Sequence, residues 1–312
     1  MHKINPKKRG NDLDAIRTEG LTKNYGRARG ITELSLAVGE GDFFGFIGPN
    51  GAGKSTTIRL LLGLISPTAG RAEVLGKDIV REKNAILAEV GYLPSEAAFY
   101  GGMRVSELLE YSAKLRRMDC RGEAARLCER LQLDVTRKVN ELSLGNRKKV
   151  GIVCAMQHRP RLYILDEPTS GLDPLMQEAF FELLCERSAE GATVFLSSHV
   201  LPEVARYCRR AAIIKEGRLL VCDDVGKLGS EGFKRVTLRG AGETPRLEGM
   251  RDLRLDGDSL TFLYNGDAAA LIAELARVGL RDVTITEPDL AEVFMHYYGK
   301  EGDRDAGILP RA

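Results

Sequence analysis

An α/β fold with a smaller α+β domain behind it is what the sequence predicts, and three observations predict it. Apolar runs at residues 42–47, 162–165 and 192–196 each stop at a glycine loop or at polar and acidic residues, the pattern of buried strands that present function at their ends. Around them apolar residues recur at helical spacing, as in Val105, Leu108, Leu109 and Leu115, or Ala124, Leu127, Cys128 and Leu131. Beyond about residue 225 the order changes to short strands around one amphipathic helix, which suggests a separate small domain.

Composition bounds this reading. The 312 residues leave room for one large domain and a smaller one, with ample core. Charged residues make up 29% of the chain but the net charge is only +2, so no basic stripe argues for nucleic-acid binding. The cysteines (Cys120, Cys128, Cys154, Cys185, Cys208, Cys222) are scattered, with no C-x-x-C pair and no histidine cluster beside them. Most fall in apolar patterns, so buried free thiols are expected rather than disulfides or a zinc site. No apolar run approaches the roughly 18 residues that span a bilayer, and the basic start of the chain has no apolar stretch behind it. The expectation is a soluble chain with a solvated tail.

In chain order, residues 16–26 begin as a polar–apolar strand, and Ile31, Leu34, Leu36 and Val38 suggest a second strand antiparallel to it. Tyr25 stands a little over twenty residues before the glycine loop, where its ring is able to stack on a base; a tyrosine in a turn is otherwise ordinary. Residues 42–47 then lead into Gly48, Pro49, Asn50, Gly51, Ala52, Gly53, Lys54, Ser55 and Thr56, which fit G-x-x-x-x-G-K-[ST], and residues 56–64 follow as a helix. Strand, glycine loop and helix N-terminus together make an anion site, because glycines let backbone N–H groups turn inward and the helix dipole adds partial positive charge. In such a loop Lys54 reaches the β- and γ-phosphates of a nucleoside triphosphate and the Ser55 hydroxyl ligates Mg²⁺.

Residues 67–91 read as turn-rich, with a short strand at 71–76 and another running from about Ala88 to Gly91-Tyr92-Leu93-Pro94. After the helical block, residues 134–140 read as a polar loop. Ser143 is a natural N-cap for a helix carrying Val150, Val153, Cys154 and Met156, and Gly145 keeps its first turn open. A hydroxyl at a helix N-terminus is also a second place for phosphate oxygens, while Arg147, Lys148 and Lys149 read as a solvated face. Residues 162–167 bring Asp166 and Glu167 to the end of a buried strand, hence to the ligand crevice of a parallel sheet. Asp166 there holds Mg²⁺, directly or through water, and Glu167 points at an attacking water as general base. A tight polar turn ending in Asp173 follows. Residues 192–199 repeat the design with His199 at the strand end, placed to contact a γ-phosphate, and Glu216-Gly217 centres a hairpin that closes the domain near residue 225. The remainder reads as strands at 233–238, 252–255, 259–264 and 283–286, a helix at 267–278 and a short terminal helix at 289–298.

With these motifs in this order, the chain resembles the ATP-binding subunit of an ABC transporter, most of all those serving exporters of the multidrug or antibiotic-resistance type. The likeness is close over residues 16–224 and looser beyond. It implies a P-loop NTPase cassette: a mixed-sheet core with an antiparallel β subdomain and a helical subdomain. The domains would be a basic tail (1–15), the cassette (16–225), an accessory α+β domain (226–300) and a tail (301–312). It makes Tyr25 the base-stacking aromatic, Gly48 to Thr56 the Walker A loop, residues 162–167 Walker B with Glu167 catalytic, Asp173 the D-loop acid and His199 the switch histidine. Residues 142–146 stand where the family has Leu-Ser-Gly-Gly-Gln; Ser143 and Gly145 are kept, Leu144 and Asn146 are departures. The family also has a glutamine after Gly-Tyr-Leu-Pro, whereas here Ser95-Glu96 follows and either supplies an oxygen in its place.

The resemblance further implies ATP and Mg²⁺ as cofactors and a head-to-tail dimer, homodimeric or heterodimeric, with each ATP held between one Walker A loop and the partner's Ser143–Gly145 turn. It implies a separate polytopic permease and a station on the cytoplasmic face of the cell membrane. The competing expectation is a soluble ABC-type ATPase acting on ribosomes or nucleic acid. Such proteins usually carry two cassettes or a long coiled coil, and this chain has one cassette and no sustained heptads.

Overall fold

The computed structural model describes residues 14–26, 28–99, 102–230 and 234–287. The basic tail (apart from residues 14 and 15) and the terminal helix expected at 289–298 lie outside the described residues. By its internal contacts the chain divides after Cys222 into two compact units.

The first unit opens with β1 (Asp14–Tyr25) and β2 (Ala28–Gly39), and β3 (Phe43–Ile47) then leads through the glycine loop into α1 (Lys54–Leu61). Next come β4 (Ala69–Val74), β5 (Lys77–Asp78), α2 (Lys83–Glu89) and β6 (Val90–Leu93). A helical run follows, α3 (Val105–Leu115), α4 (Arg121–Arg130) and α5 (Leu144–Met156). The chain then alternates through β7 (Leu162–Asp166), α6 (Pro174–Ala189), β8 (Thr193–Ser198), α7 (Leu201–Tyr207), β9 (Arg210–Lys215) and β10 (Arg218–Asp224).

Two sheets result. One is antiparallel, in the order β2-β1-β4-β5; the other is mixed, in the order β10-β9-β3-β8-β7-β6. In the mixed sheet β3, β6, β7, β8 and β9 run parallel, so the ends of β3, β7 and β8 emerge at one edge. That edge is where the glycine loop, the Asp166-Glu167 pair and His199 were expected to meet. An apolar core of Ile16, Leu34, Val38, Phe44, Phe46, Ile58, Leu61, Ile164 and Phe195 fills the space between the sheets and around α1.

The irregular spacing of Ile31, Leu34, Leu36 and Val38 has a local cause. Glu33 adopts φ +50° and the β1–β2 register shifts beside it, so a bulge returns all four apolar side chains to the core. The hairpin at Glu216-Gly217 forms as expected, with both residues at positive φ (50° and 78°), as a two-residue primed turn requires. Residues 83–89 depart from expectation: they form α2, so Ala88 is helical and β6 begins only at Val90. Only Ile86 of that helix is buried, and one apolar contact leaves no periodicity to read.

α5 also departs from expectation. It packs against β6, α3 and α4, and it is buried almost all round, including Lys148 and Lys149 where a solvated face was expected. The apolar run from Val150 to Met156 makes it a central helix, so Lys148 and Lys149 just before that run lie inside as well. Arg187 of α6 is buried too and ties that helix to Glu123 of α4 and to Glu190. All the cysteines are free: Cys120, Cys128 and Cys208 are buried, Cys154 and Cys222 half-buried, and Cys185 exposed, against the expectation of burial for most of them.

Just past α5, His158 is 5% exposed and its Nε2–H donates to the Val90 carbonyl at 3.3 Å. Burial, with Arg116 nearby, pushes its pKa from 6.5 down to about 4. Between those two values the unfolded chain binds a proton at this residue that the folded chain does not. Stability is therefore fully present above pH 6.5 and falls as the pH drops toward 4. The span corresponds to about 3 kcal/mol at 1.36 kcal/mol per pH unit. In urea melts, His158→Gln is expected to flatten the acid limb between pH 6.5 and 4, whatever it does at neutral pH; an unchanged slope rejects the assignment.

The second unit contains α8 (Val225–Ser230), β11 (Lys234–Arg239), β12 (Met250–Asp256), β13 (Ser259–Tyr264), α9 (Ala268–Val278) and β14 (Asp282–Thr286). Its antiparallel sheet has the order β12-β13-β11-β14. Leu271 and Leu275 of α9 pack with Val236, Leu238, Leu260 and Phe262 of the sheet, and the Asp267 carboxylate caps the helix by accepting from the Ala270 N–H at 2.9 Å.

Candidate functional site

The glycine loop is shaped by what its residues lack. A Cβ on Gly48 would lie 2.6 Å from the Ile214 carbonyl oxygen of β9, so only glycine lets the loop pass that strand. Gly53 turns the chain into α1 at φ +109°, a conformation that favours glycine. Pro49, Asn50 and Gly51 are exposed at the rim, Ala52 is buried, and Ser55 and Thr56 are half-buried on the first turn of α1.

Lys54 folds back over this loop and is only 6% exposed. Its Nζ donates to the Gly48 carbonyl at 2.5 Å and to that of Pro49 at 3.3 Å. It also lies 3.1 Å from Glu167 Oε1, an ion pair out of line for a hydrogen bond. One residue on, Ser55 Oγ donates to Asp166 Oδ2 at 2.7 Å, and Ser197 Oγ donates to Asp166 Oδ1 at 3.0 Å. Asp166 is thus held from α1 and β8 at once, at 2% exposure.

Glu167 follows at φ +48°, a strained setting for a side chain with a Cβ. Its N–H donates to the Ser197 carbonyl at 3.0 Å, and its carbonyl accepts from Lys148 Nζ at 3.0 Å. This turn sends the carboxylate back across the loop end, where Oε2 meets His199 Nδ1 at 2.6 Å and Oε1 faces Lys54. His199 itself is 53% exposed. Behind it Ser198 Oγ donates to Glu203 Oε2 at 3.1 Å and accepts from the Val200 N–H at 2.9 Å. Burial raises the Glu203 carboxyl above the usual carboxylate range.

The parallel sheet therefore brings together Gly48, Lys54, Ser55, Asp166, Glu167 and His199. The arrangement gives a cation and inward-facing amides for phosphate oxygens, a hydroxyl–carboxylate pair for a hard cation, and a carboxylate beside a histidine for handling a proton. Among the described residues no three His, Cys, Asp or Glu side chains cluster as metal ligands. The Ser55–Asp166 pair fits Mg²⁺ all the same, because that ion takes few protein oxygens and completes its shell with water and phosphate.

The remaining predicted residues lie in other settings. Tyr25 ends β1 at 43% exposure, with Lys23 Nζ 5.4 Å from its ring centroid. Ser143 caps α5 by accepting from the Asn146 N–H at 3.3 Å, and Asp173 caps α6 by accepting from the Met176 N–H at 3.0 Å. A Cβ on Gly145 would lie 2.7 Å from the Gly171 carbonyl, so the turns at 143–145 and 170–173 lie side by side, with Leu144 63% exposed. Two contributors escape the sequence reading. Ser197 was hidden at the close of an apolar strand, two residues before the His199 that draws attention. Lys148 was hidden in a basic triplet, although the apolar run after it signalled a buried helix.

Residues 31–170 match the family model described as ABC transporter. The chain is 39% identical over 211 residues to the bacitracin transport ATP-binding protein BcrA of Bacillus licheniformis, covering 66% of this chain and 68% of that protein. It is 33% identical over 306 residues to the daunorubicin resistance ATP-binding protein DrrA3 of Streptomyces coeruleorubidus, covering 92% and 96%. Among solved structures it superposes on an ATP-binding subunit of an ABC transporter with a TM-score of 0.65 and 30% identity, over 70% of this chain and 92% of that one.

Proposed function

The chain belongs to the ATP-binding proteins of ABC transporters, a family of ATPases, and from that premise we propose that it is the energy-supplying subunit of an exporter whose pore is a separate polytopic permease. One observation carries the assignment of roles: Lys54, Ser55, Asp166, Glu167 and His199 converge from three parallel strand ends through contacts of 2.6–3.1 Å. Lys54 and the loop amides bind the β- and γ-phosphates. Ser55 and Asp166 hold Mg²⁺, which supplies charge neutralisation on the phosphates. Glu167 takes the proton of the attacking water, and His199 orients that carboxylate and reaches for the γ-phosphate.

Phosphates arriving at Lys54 would compete with Glu167 for its ammonium. The carboxylate that balances the cation without nucleotide is thereby released toward water when nucleotide binds, which links binding to competence. Tyr25 is the base platform, and its exposed ring suits that role. Ser143, Gly145 and Asp173 serve a second copy of the cassette. Their turns lie side by side at the surface, and Ser143 and Asp173 are exposed. A homodimer is the simplest assembly, since every catalytic residue is present in one chain; a heterodimer is the alternative. In the dimer each ATP joins two half-sites, so binding becomes association.

The residues of 226–300 form the accessory domain of this reading, after a cassette at 16–225. The proposed cargo is drugs, lipids or other small molecules, and the relatives named for bacitracin transport and daunorubicin resistance support the first of these. No helix among the described residues is long and apolar enough to cross a membrane, so the proposed place at the cytoplasmic face of the membrane rests on the permease. The test is a mild-detergent pull-down of tagged protein from native membranes. A stoichiometric polytopic chain is the expected result, and recovery with ribosomes or nucleic acid alone overturns the reading.

A further inference from the structure

Lys148 is the least expected residue near the site. It is 4% exposed on the second turn of α5, and its Nζ donates to the carbonyls of Pro94 at 3.1 Å, Ser95 at 2.9 Å and Glu167 at 3.0 Å. An ammonium has three donors, and each has found a backbone acceptor. Those acceptors belong to two separate stretches of chain, the loop after β6 and the residue after β7, and the lysine comes from a third.

The contact to Glu167 carries the most weight. Its backbone sits at φ +48°, a strained setting for a residue other than glycine that persists only where surroundings enforce it. The enforcement comes from both sides of the residue: the Ser197 carbonyl takes its N–H, and Lys148 takes its C=O. With the peptide held in this turn, the side chain reaches Lys54 and His199 together. The loop after β6 is also packed on α5 below the lysine, since a Cβ on Gly151 would lie 2.9 Å from Leu93 and 3.5 Å from Ala97. The 94–95 backbone and the Glu167 turn are thus fastened to one ammonium.

We propose that Lys148 is a positioning residue for ATP hydrolysis: by holding the Glu167 carbonyl and the 94–95 carbonyls together, it sets the direction of the Glu167 carboxylate and makes it depend on the loop after β6. This rests on the reading of Glu167 as general base. A simple staple between elements would affect folding but not the chemistry of the molecules that fold. Lys148→Met keeps the length and apolar stem while removing the donors.

Steady-state turnover per titrated nucleotide site distinguishes the two. Lys148→Met is expected to lower kcat by about 10- to 100-fold with KM for ATP within about threefold, the scale of loss for a misaimed catalytic group. In a Glu167→Gln background the same substitution should change residual turnover by less than about twofold, because a residue acting through Glu167 has nothing left to position. If Lys148→Met yields no soluble protein, Lys148→Arg serves, since its planar fork meets fewer of three fanned carbonyls. A lowered kcat with unchanged KM supports the proposal there, and an unchanged kcat, with KM unchanged or raised, overturns it. An unchanged kcat in the Met variant, or a full additional loss in the Gln background, also overturns it. Wild-type turnover by Glu167→Gln alone identifies the other failure, that of the base assignment, and takes this proposal with it.

Discussion

Glu167→Gln is expected to bind ATP at least as tightly as the parent and to lose turnover by about a hundredfold or more, the range for removing a general base. The side chain keeps its shape and an oxygen able to meet His199, which in the parent lies 2.6 Å from Oε2. It loses the charge that receives the proton from water. It also loses the charge that faces Lys54 at 3.1 Å, so the ammonium no longer has a carboxylate competing with incoming phosphate. Affinity and turnover should therefore move in opposite directions, a signature that misfolding cannot produce. ATP that is bound and not consumed should also hold two cassettes together, so mass photometry with ATP is expected to show an accumulated dimer. Phosphate release at the parental rate would remove Glu167 from the role.

Much of this site was legible in the sequence because each part follows from a local rule. A glycine loop between a strand and a helix has few alternatives once Lys54 and Ser55 follow it, and an apolar run ending in Asp166-Glu167 places those acids at a sheet edge wherever the strands are parallel. The fold class was legible for the same reason. The parts that were not legible are set by tertiary packing. α2 shows one buried residue, too few for a period, and the β1–β2 bulge breaks the alternation that would have marked β2 clearly. Lys148 and Lys149 carry the composition of a surface, and only the packing of α5 against β6, α3 and α4 puts them inside. Ser143 and Asp173 were legible as polar turn residues, and within one chain their oxygens cap helices. A role toward a neighbouring cassette lies in contacts that a single chain does not contain.

Lys54→Met should produce the opposite phenotype to Glu167→Gln. The lysine makes one short bond inside its own loop, to the Gly48 carbonyl at 2.5 Å, and an ion pair with Glu167 that phosphate is proposed to displace. Removing it deletes the only side-chain cation of the loop from 48 to 56. Charge-assisted bonds of this kind contribute about 1.5–3 kcal/mol each, so loss of contacts to two phosphates should weaken ATP binding by about a hundredfold or more. Thermal melts give the readout. At ATP one hundred times the parental Kd, the parent gains about 2.7 kcal/mol, which is a rise of about 5–10 °C for a unit of this size. At that same concentration the variant is only half-saturated, gains about 0.4 kcal/mol and should rise by about 1 °C. A parental shift in Lys54→Met would mean that the loop amides bind the triphosphate unaided. With a shift of only about 1 °C there and a full shift in Glu167→Gln, binding and chemistry separate onto two side chains that touch each other, and their contact becomes the point at which nucleotide arrival is converted into a free base.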